Sequence, residues 1–401
     1  MSPASRRRAT VFLRLFPIRC SLHWEVCFIA MLAETTNELF ANIIDHLRYE
    51  RYVKKESIVS TALRDVYYVL RPLMPAGIRK HLHRIHLNDW QRIPFPAWPV
   101  DTTVETLSEQ LMMLELLRTG MRRMPFTWFW PDRYSGCVIL THDVETKAGR
   151  DFSAKLIDID EAYGMKSSFQ IVPEERYEVT PAFLDSLRAR GREVNIHGLN
   201  HDGKLFRNRK TFLHQVKSIN RYAKQFDASG FRSPVLYRNL EWYTEFDFSY
   251  DMSVPNVAHL DPQRGGCCTV MPYFVGHVLE LPLTTTQDWS LFNVLQQNSI
   301  ELWKQQIDMV LEKHGLVSFN IHPDYMIDHR HRRLYEELLE HLRNVCGDRN
   351  VWIALPGEVD RWWREQDSSE RACLAYASVE DGKIVYEVGD TRKNECVLVE
   401  Q

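Results

Sequence analysis

Two short segments carry the residue types that hold a divalent cation. Thr141-His142-Asp143-Val144-Glu145 follows the apolar run Cys137-Val138-Ile139-Leu140. His197-Gly198-Leu199-Asn200-His201 follows the shorter run Val194-Asn195-Ile196. Two imidazoles and a carboxylate satisfy a borderline cation such as zinc and leave a coordination position open for water. A second carboxylate two residues from the first can then act as a base, which is the chemistry of metal-assisted hydrolysis. His197 and His201 share a face if their segment is helical. Gly198 and Asn200 are poor helix formers, so a turn after a strand serves equally well, and either geometry brings both imidazoles to one ion.

Other polar residues close apolar runs in the same way. Arg232 closes one in Gly230-Phe231-Arg232-Ser233-Pro234, and His322 another in Phe319-Asn320-Ile321-His322-Pro323-Asp324. One histidine after a strand is most often a hydrogen-bonded structural residue. Four strand ends offering carboxylates, imidazoles and a guanidinium point to a site, because a β/α barrel gathers its strand ends on one face.

The elements that must position these groups are legible from residue 134 onward. Short apolar runs alternate there with amphipathic stretches, the pattern of a parallel sheet with crossover helices. Strands are expected at 137–141, 168–172, 193–197, 230–233, 277–283, 316–321 and 351–354. Helices are expected at 151–163, 181–190, 208–226, 300–314, 330–345 and 357–365. A hairpin is expected across Asp381-Gly382, between runs at 375–379 and 384–388.

Residues 31–130 read as mainly helical, with helices at 32–52, 56–70 and 106–117. They are interrupted at Ile93-Pro94-Phe95-Pro96-Ala97-Trp98-Pro99, where three prolines forbid regular structure. The basic stretch 79–87 reads as a solvated helix face. Residues 1–30 form an arginine-rich leader, too interrupted for a membrane span or a signal-peptide core, and are expected to be an upstream extension. The expected organisation is therefore a leader (1–30), a helical N-terminal region (31–130), an α/β barrel (131–366) and a β-hairpin appendage (367–401).

Composition bounds the function. The chain has 401 residues, 44% hydrophobic and 26% charged, which suits a globular protein with a sizeable core. A formal net charge of −3 gives no electrostatic case for nucleic acid. Eight cysteines without a C-x-x-C pair, and no run of 18 apolar residues, lead to the expectation of a cytoplasmic protein with reduced thiols and no transmembrane helix.

The ordered motifs resemble the polysaccharide deacetylases of the NodB-homology family. That family shows an acidic motif after the first strand, His-x-x-x-His, Arg-x-Pro, a hydrophobic motif and a late histidine. Here these are Thr141–Glu145, His197–His201, Arg232-Ser233-Pro234, Phe248-Ser249-Tyr250-Asp251 and Ile321-His322-Pro323. The resemblance spans about residues 133–365. The acidic motif departs from the usual adjacent aspartates, since Val144 stands where the second would be and Glu145 follows it.

What the resemblance implies is a distorted (β/α)7-type barrel, a divalent metal (zinc most often) and deacetylation of an acetamido sugar. It implies His197, His201 and Glu145 as ligands, with His142 as a substitute for Glu145. It implies Asp143 as base, Arg232 as its partner and His322 as the acid toward the leaving amine. Tyr250, Trp242 and Trp289 are candidate walls for a carbohydrate ring. Two rivals stay open: cyclic imide or ureide hydrolysis on the same barrel, and a barrel that binds without catalysis.

Overall fold

The computed structural model describes residues 37–53, 87–368 and 374–388, with single positions 74, 78, 81 and 85. The expected leader and the helix at 56–70 lie outside the described residues, as does most of the basic stretch 79–87. A helix occupies 37–48, and 93–99 is irregular as its prolines require. Helix α1 (Thr103–Thr119) and strand β1 (Arg123–Thr127) then lead to the barrel.

The barrel starts with β2 (Gly136–Val144), buried along its whole length. It continues through α2 (Lys147–Ala162), β3 (Ser168–Ile171), α3 (Pro181–Arg188), β4 (Glu193–His197) and α4 (Arg209–Gln225). Next come β5 (Gly230–Arg232), β6 (Tyr250–Asp251), β7 (Tyr273–Val275) and β8 (Val278–Glu280). Helix α5 (Glu301–Leu311), β9 (Leu316–Ile321), α6 (His329–Asp348), β10 (Val351–Ala354) and α7 (Pro356–Ser368) complete it.

Seven strands, β9-β2-β3-β4-β5-β6-β8, run parallel in that spatial order. β10 is also parallel and shares one edge of β2 with β3, pairing with Gly136–Ile139 while β3 takes Thr141–Val144. β7 is antiparallel to β8. Between β8 and β9 side chains replace a backbone ladder. Thr284 Oγ1 donates to the Leu316 carbonyl (2.7 Å) and accepts from the Ser318 amide (2.9 Å). Thr285 Oγ1 donates to the Ser318 carbonyl (2.7 Å). This is the distortion in the expected (β/α)7-type barrel.

The two-residue period of a strand sorts each side chain to the interior or to the helix layer. Along β2, Val138 and Leu140 join the cluster formed with α5 and α6, while Cys137 and Ile139 join the interior. An interior cluster below the site contains Tyr250, Met252, Leu279, Leu281 and Leu316 together with Trp130 and Trp363. Helices leaving the strand ends begin on side-chain caps: Thr146 for α2, Thr180 for α3, Asn208 for α4 and Asp328 for α6. Each satisfies amides the first turn would otherwise leave bare, which fixes where these four loops end.

The tail forms the expected hairpin, β11 (Leu374–Glu380) and β12 (Lys383–Val388), turning through Asp381 and Gly382 at φ +48° and +73°. β1 was not expected: it lies in a stretch read as helical, yet pairs antiparallel with β11 to make a three-stranded sheet. It is an edge strand, the position that tolerates Pro125. Among the described residues no helix is long and apolar enough to cross a membrane.

Candidate metal centre

Alternation along β2 turns Thr141 and Asp143 into the barrel, and Glu145 follows just past the strand's end. β4 delivers His197 at its last position. The chain then makes a turn, not a helix: Gly198 and His201 have φ of +63° and +55°. A Cβ on Gly198 would strike the ring of Pro234, so glycine lets this turn close against the Arg232-Ser233-Pro234 segment. β5 contributes Arg232. β9 contributes Asn320 on its inner face, and His322 follows one residue past the strand's end.

One carboxylate oxygen gathers the imidazoles. Glu145 Oε1 lies 2.7 Å from His201 Nε2, 3.4 Å from His322 Nε2 and 3.5 Å from His197 Nε2. His197 Nδ1 is 3.1 Å from the Arg232 carbonyl, which can only accept. Nδ1 therefore carries a proton, and Nε2 faces the two acids, the way a hydrogen bond on the far nitrogen orients metal-ligating histidines. Both ring nitrogens of His201 are buried without an aligned hydrogen bond, and so is Asp143 Oδ1. Buried polar atoms are rarely left so. A divalent cation among Glu145, His197 and His201, a group with donors within 4.8 Å of one another, would take up one nitrogen of each imidazole. The donor set therefore fits a metal.

The electrostatics separate the roles. Burial raises the Glu145 carboxyl, but His201, His197 and His322 outweigh it and hold it well below the usual range. Burial also opposes ionisation of Asp143, and His197, Arg232 and His322 overcome it, so its acidity is strengthened. Asp143 Oδ2 accepts from Asn320 Nδ2 at 2.9 Å. Arg232 Nε stands 3.8 Å from Asp143 Oδ1, and its Nη2 donates to Thr141 Oγ1 at 2.9 Å. Burial pulls the His201 imidazole below its ordinary value. His322 behaves oppositely: burial disfavours its charge, but Asp288 and Glu145 raise it well above the histidine range.

Asp288 is a site residue that motif reading missed. It is fully buried, accepting from the His322 amide and lying 2.7 Å from His322 Nδ1. A signal for it exists: the polar run Thr284–Asp288 follows the apolar Leu281-Pro282-Leu283 just past β8, the same rule that located Asp143 and His322. Asn320, two residues before His322, is readable from the strand period.

Other expectations are corrected. His142 is not a substitute ligand. The odd-even alternation of β2 turns it outward, where Nε2 lies 3.0 Å from Asp160, itself bonded by Ser167 and Tyr335. Tyr250 is no substrate wall: it is fully buried near the strand starts, with its hydroxyl on Glu193 and Asn195. Gly230 makes room for its ring, since a Cβ there would overlap it. Trp242 packs with Phe206, Phe212 and Arg209 over the start of α4 and touches none of the site groups above. Trp289 is half-buried and adjoins Asp288, to whose carboxylate its amide donates at 2.6 Å. Tyr325, not foreseen, lies with its ring 5.0 Å from that of His322.

No protein-family model matches the sequence, and no curated protein matches it. Solved structures do. A Mycobacterium smegmatis protein designated a polysaccharide deacetylase is 19% identical, over 61% of this chain and 96% of its own, with TM-score 0.49. PuuE allantoinase is 14% identical over 60% and 94%, with TM-score 0.45. The peptidoglycan deacetylase PdaC of Bacillus subtilis is 15% identical over 60% and 95%, with TM-score 0.37. Polysaccharide deacetylases are thus among the structures this chain is similar to, as its ordered motifs imply.

Proposed function

We propose that the protein is a metal-dependent amide hydrolase that removes the acetyl group from an acetamido sugar. The observation that carries this reading is the convergence of three imidazoles on Glu145 Oε1, with the ionised Asp143 beside them on the same barrel face. Ligand donors, a base and an acid then surround one point.

Glu145, His197 and His201 would hold the cation, which supplies Lewis-acid polarisation of the amide carbonyl and a more acidic water. Asp143 takes the proton from that water as its oxygen adds to the carbonyl carbon. The Asn320 amide occupies Oδ2 and leaves Oδ1 to accept that proton. Arg232, beside Oδ1, keeps the carboxylate ionised before the reaction. His322 enters protonated because Asp288 stabilises its charge. It gives that proton to the sugar nitrogen as the C–N bond breaks, releasing acetate and a free amine. Tyr325, its ring 5.0 Å from that of His322, and Trp289, next to Asp288 in the chain, are the aromatic candidates for contact with a sugar ring.

Acetate release from a panel of nucleotide-linked and lipid-linked acetamido sugars tests this, with cyclic imides and ureides included and Asp143→Asn as control. Release abolished by that substitution is expected. Hydrolysis of only the imides or ureides would replace the substrate class, and acetate release indifferent to Asp143→Asn would reject the mechanism.

A further inference from the structure

The donor that fixes Asp143 does not stand alone. Asn320 Nδ2 is shared: one hydrogen goes to Asp143 Oδ2 at 2.9 Å and the other to Gln287 Oε1 at 3.2 Å. Gln287 Nε2 in turn donates to Asp261 Oδ1 at 2.8 Å. Both amides are thereby oriented. A carboxylate can only accept, so Asp261 draws the Gln287 NH2 toward itself and turns Oε1 toward Asn320. That oxygen then draws the Asn320 NH2, leaving its second hydrogen for the base. Asp143 is 2% exposed and Asn320 1%, so water competes little for the bond at the base, while Gln287 is half-buried.

The middle of the chain is braced. Gln287 follows Thr284 and Thr285, whose hydroxyls tie this segment to the β9 backbone. The Thr286 amide is held by Gln306 Oε1 at 2.9 Å and its carbonyl by Trp303 Nε1 at 2.7 Å. The next residue, Asp288, holds His322. Neighbouring residues of one segment thus reach Asn320, the partner of the base, on one side and His322 on the other.

We propose that Asp261, Gln287 and Asn320 are positioning residues that deliver one oriented amide hydrogen to Asp143. The role rests on the hydrolase reading given above. With Oδ2 engaged, the carboxylate cannot rotate, and Oδ1, which has no hydrogen-bond partner, stays turned to the water to be deprotonated. Burial pushes the Asp261 carboxyl up to about 6 against the opposing pull of Arg238, Gln287 and Arg264, with Glu50 raising it slightly. It is therefore mainly the acceptor at neutral pH. Arg238 also carries the buried ion pair with Glu50, so the far end of the relay lies where the segment 37–53 docks.

The test uses the full chain with zinc, in two readouts. Gln287→Met removes both relay bonds at similar volume. Its kcat should fall about 10- to 100-fold, the loss expected for a hydrogen bond to a charged group, with KM and bound zinc unchanged. Independently of activity, the Asn320 side-chain amide signals are read in ¹⁵N-asparagine-labelled protein and assigned by their loss in Asn320→Ser. They should shift in Gln287→Met and also in Asp261→Asn, which lies two bonds away. Signals unmoved in both variants, or an unchanged kcat in Gln287→Met, would overturn the relay. A wild type that releases no acetate while the signals still shift would leave the relay standing and remove the hydrolase reading.

Discussion

Asp288 grips His322 at two points: Oδ2 accepts the backbone amide and Oδ1 lies against Nδ1, each at 2.7 Å. The first contact fixes where the residue sits, and the second fixes the ring and its proton. With Nδ1 held in this way, Nε2 faces the site, where the proposed reaction needs an acid.

From this follows a leaving-group test. Asp288→Asn removes the charge that keeps His322 protonated, and kcat toward an acetamide should fall on the order of 100-fold. An activated aryl acetate, whose leaving group needs no proton, should lose far less. Parallel rates on both substrates decide the point, and equal losses would remove His322 from the role of acid.

Metal retention separates ligands from base. His201→Ala should lose the bound cation, measured as metal per chain after dialysis, together with the rise in melting temperature that zinc confers. At 100-fold excess over Kd that stabilisation is about 2.7 kcal/mol. Asp143→Asn should keep the metal and lose about 10²- to 10⁴-fold in kcat. If Asp143→Asn emptied the site as His201→Ala does, Asp143 would be a ligand.

Glu105 sets a pH dependence of stability away from the centre. It is buried, accepts from Thr269 Oγ1 and the Val270 amide, and burial pushes its carboxyl up to about 7. A folded-state value raised above the unfolded 4.5 means the native protein binds the extra proton. Its contribution to stability therefore falls as pH rises from about 4.5 to about 7. Glu105→Gln should flatten that slope, by on the order of 2 kcal/mol between pH 5 and 8. Urea midpoints at the two pH values measure it; parallel curves for both proteins would contradict it.

Tyr250 tests the division between core and site. Tyr250→Phe leaves Glu193 without one of its buried donors and should cost about 1–3 kcal/mol of stability. KM for an acetamido sugar should stay the same, because the ring lies near the strand starts. A raised KM with unchanged stability would return Tyr250 to the substrate.

The barrel was largely legible because its strands are short apolar runs and its helices amphipathic. Expected and observed bounds coincide at 193–197, 316–321 and 351–354 and differ by a few residues at most other elements. β1, β6 and β7 were not legible. β1 exists because β11 pairs with it from some 250 residues away; Tyr250-Asp251 is too short to show a period, and β7 is held only by its antiparallel pairing with β8.

Local sequence determined which residues end strands, and therefore which could share one barrel face. Asp143, His197, Arg232 and His322 follow from that rule alone. The tertiary structure decided direction and partnership. The parity of β2 sent His142 to Asp160 and Asp143 inward, and Glu145, one step past the strand, reached the three imidazoles. Gly230 admitted the Tyr250 ring to the core. Asp288 and Gln287 reached His322 and Asn320 only because the segment after β8 closes against β9. Such contacts join residues tens of positions apart, and pattern along the chain carries no record of them until the barrel closes.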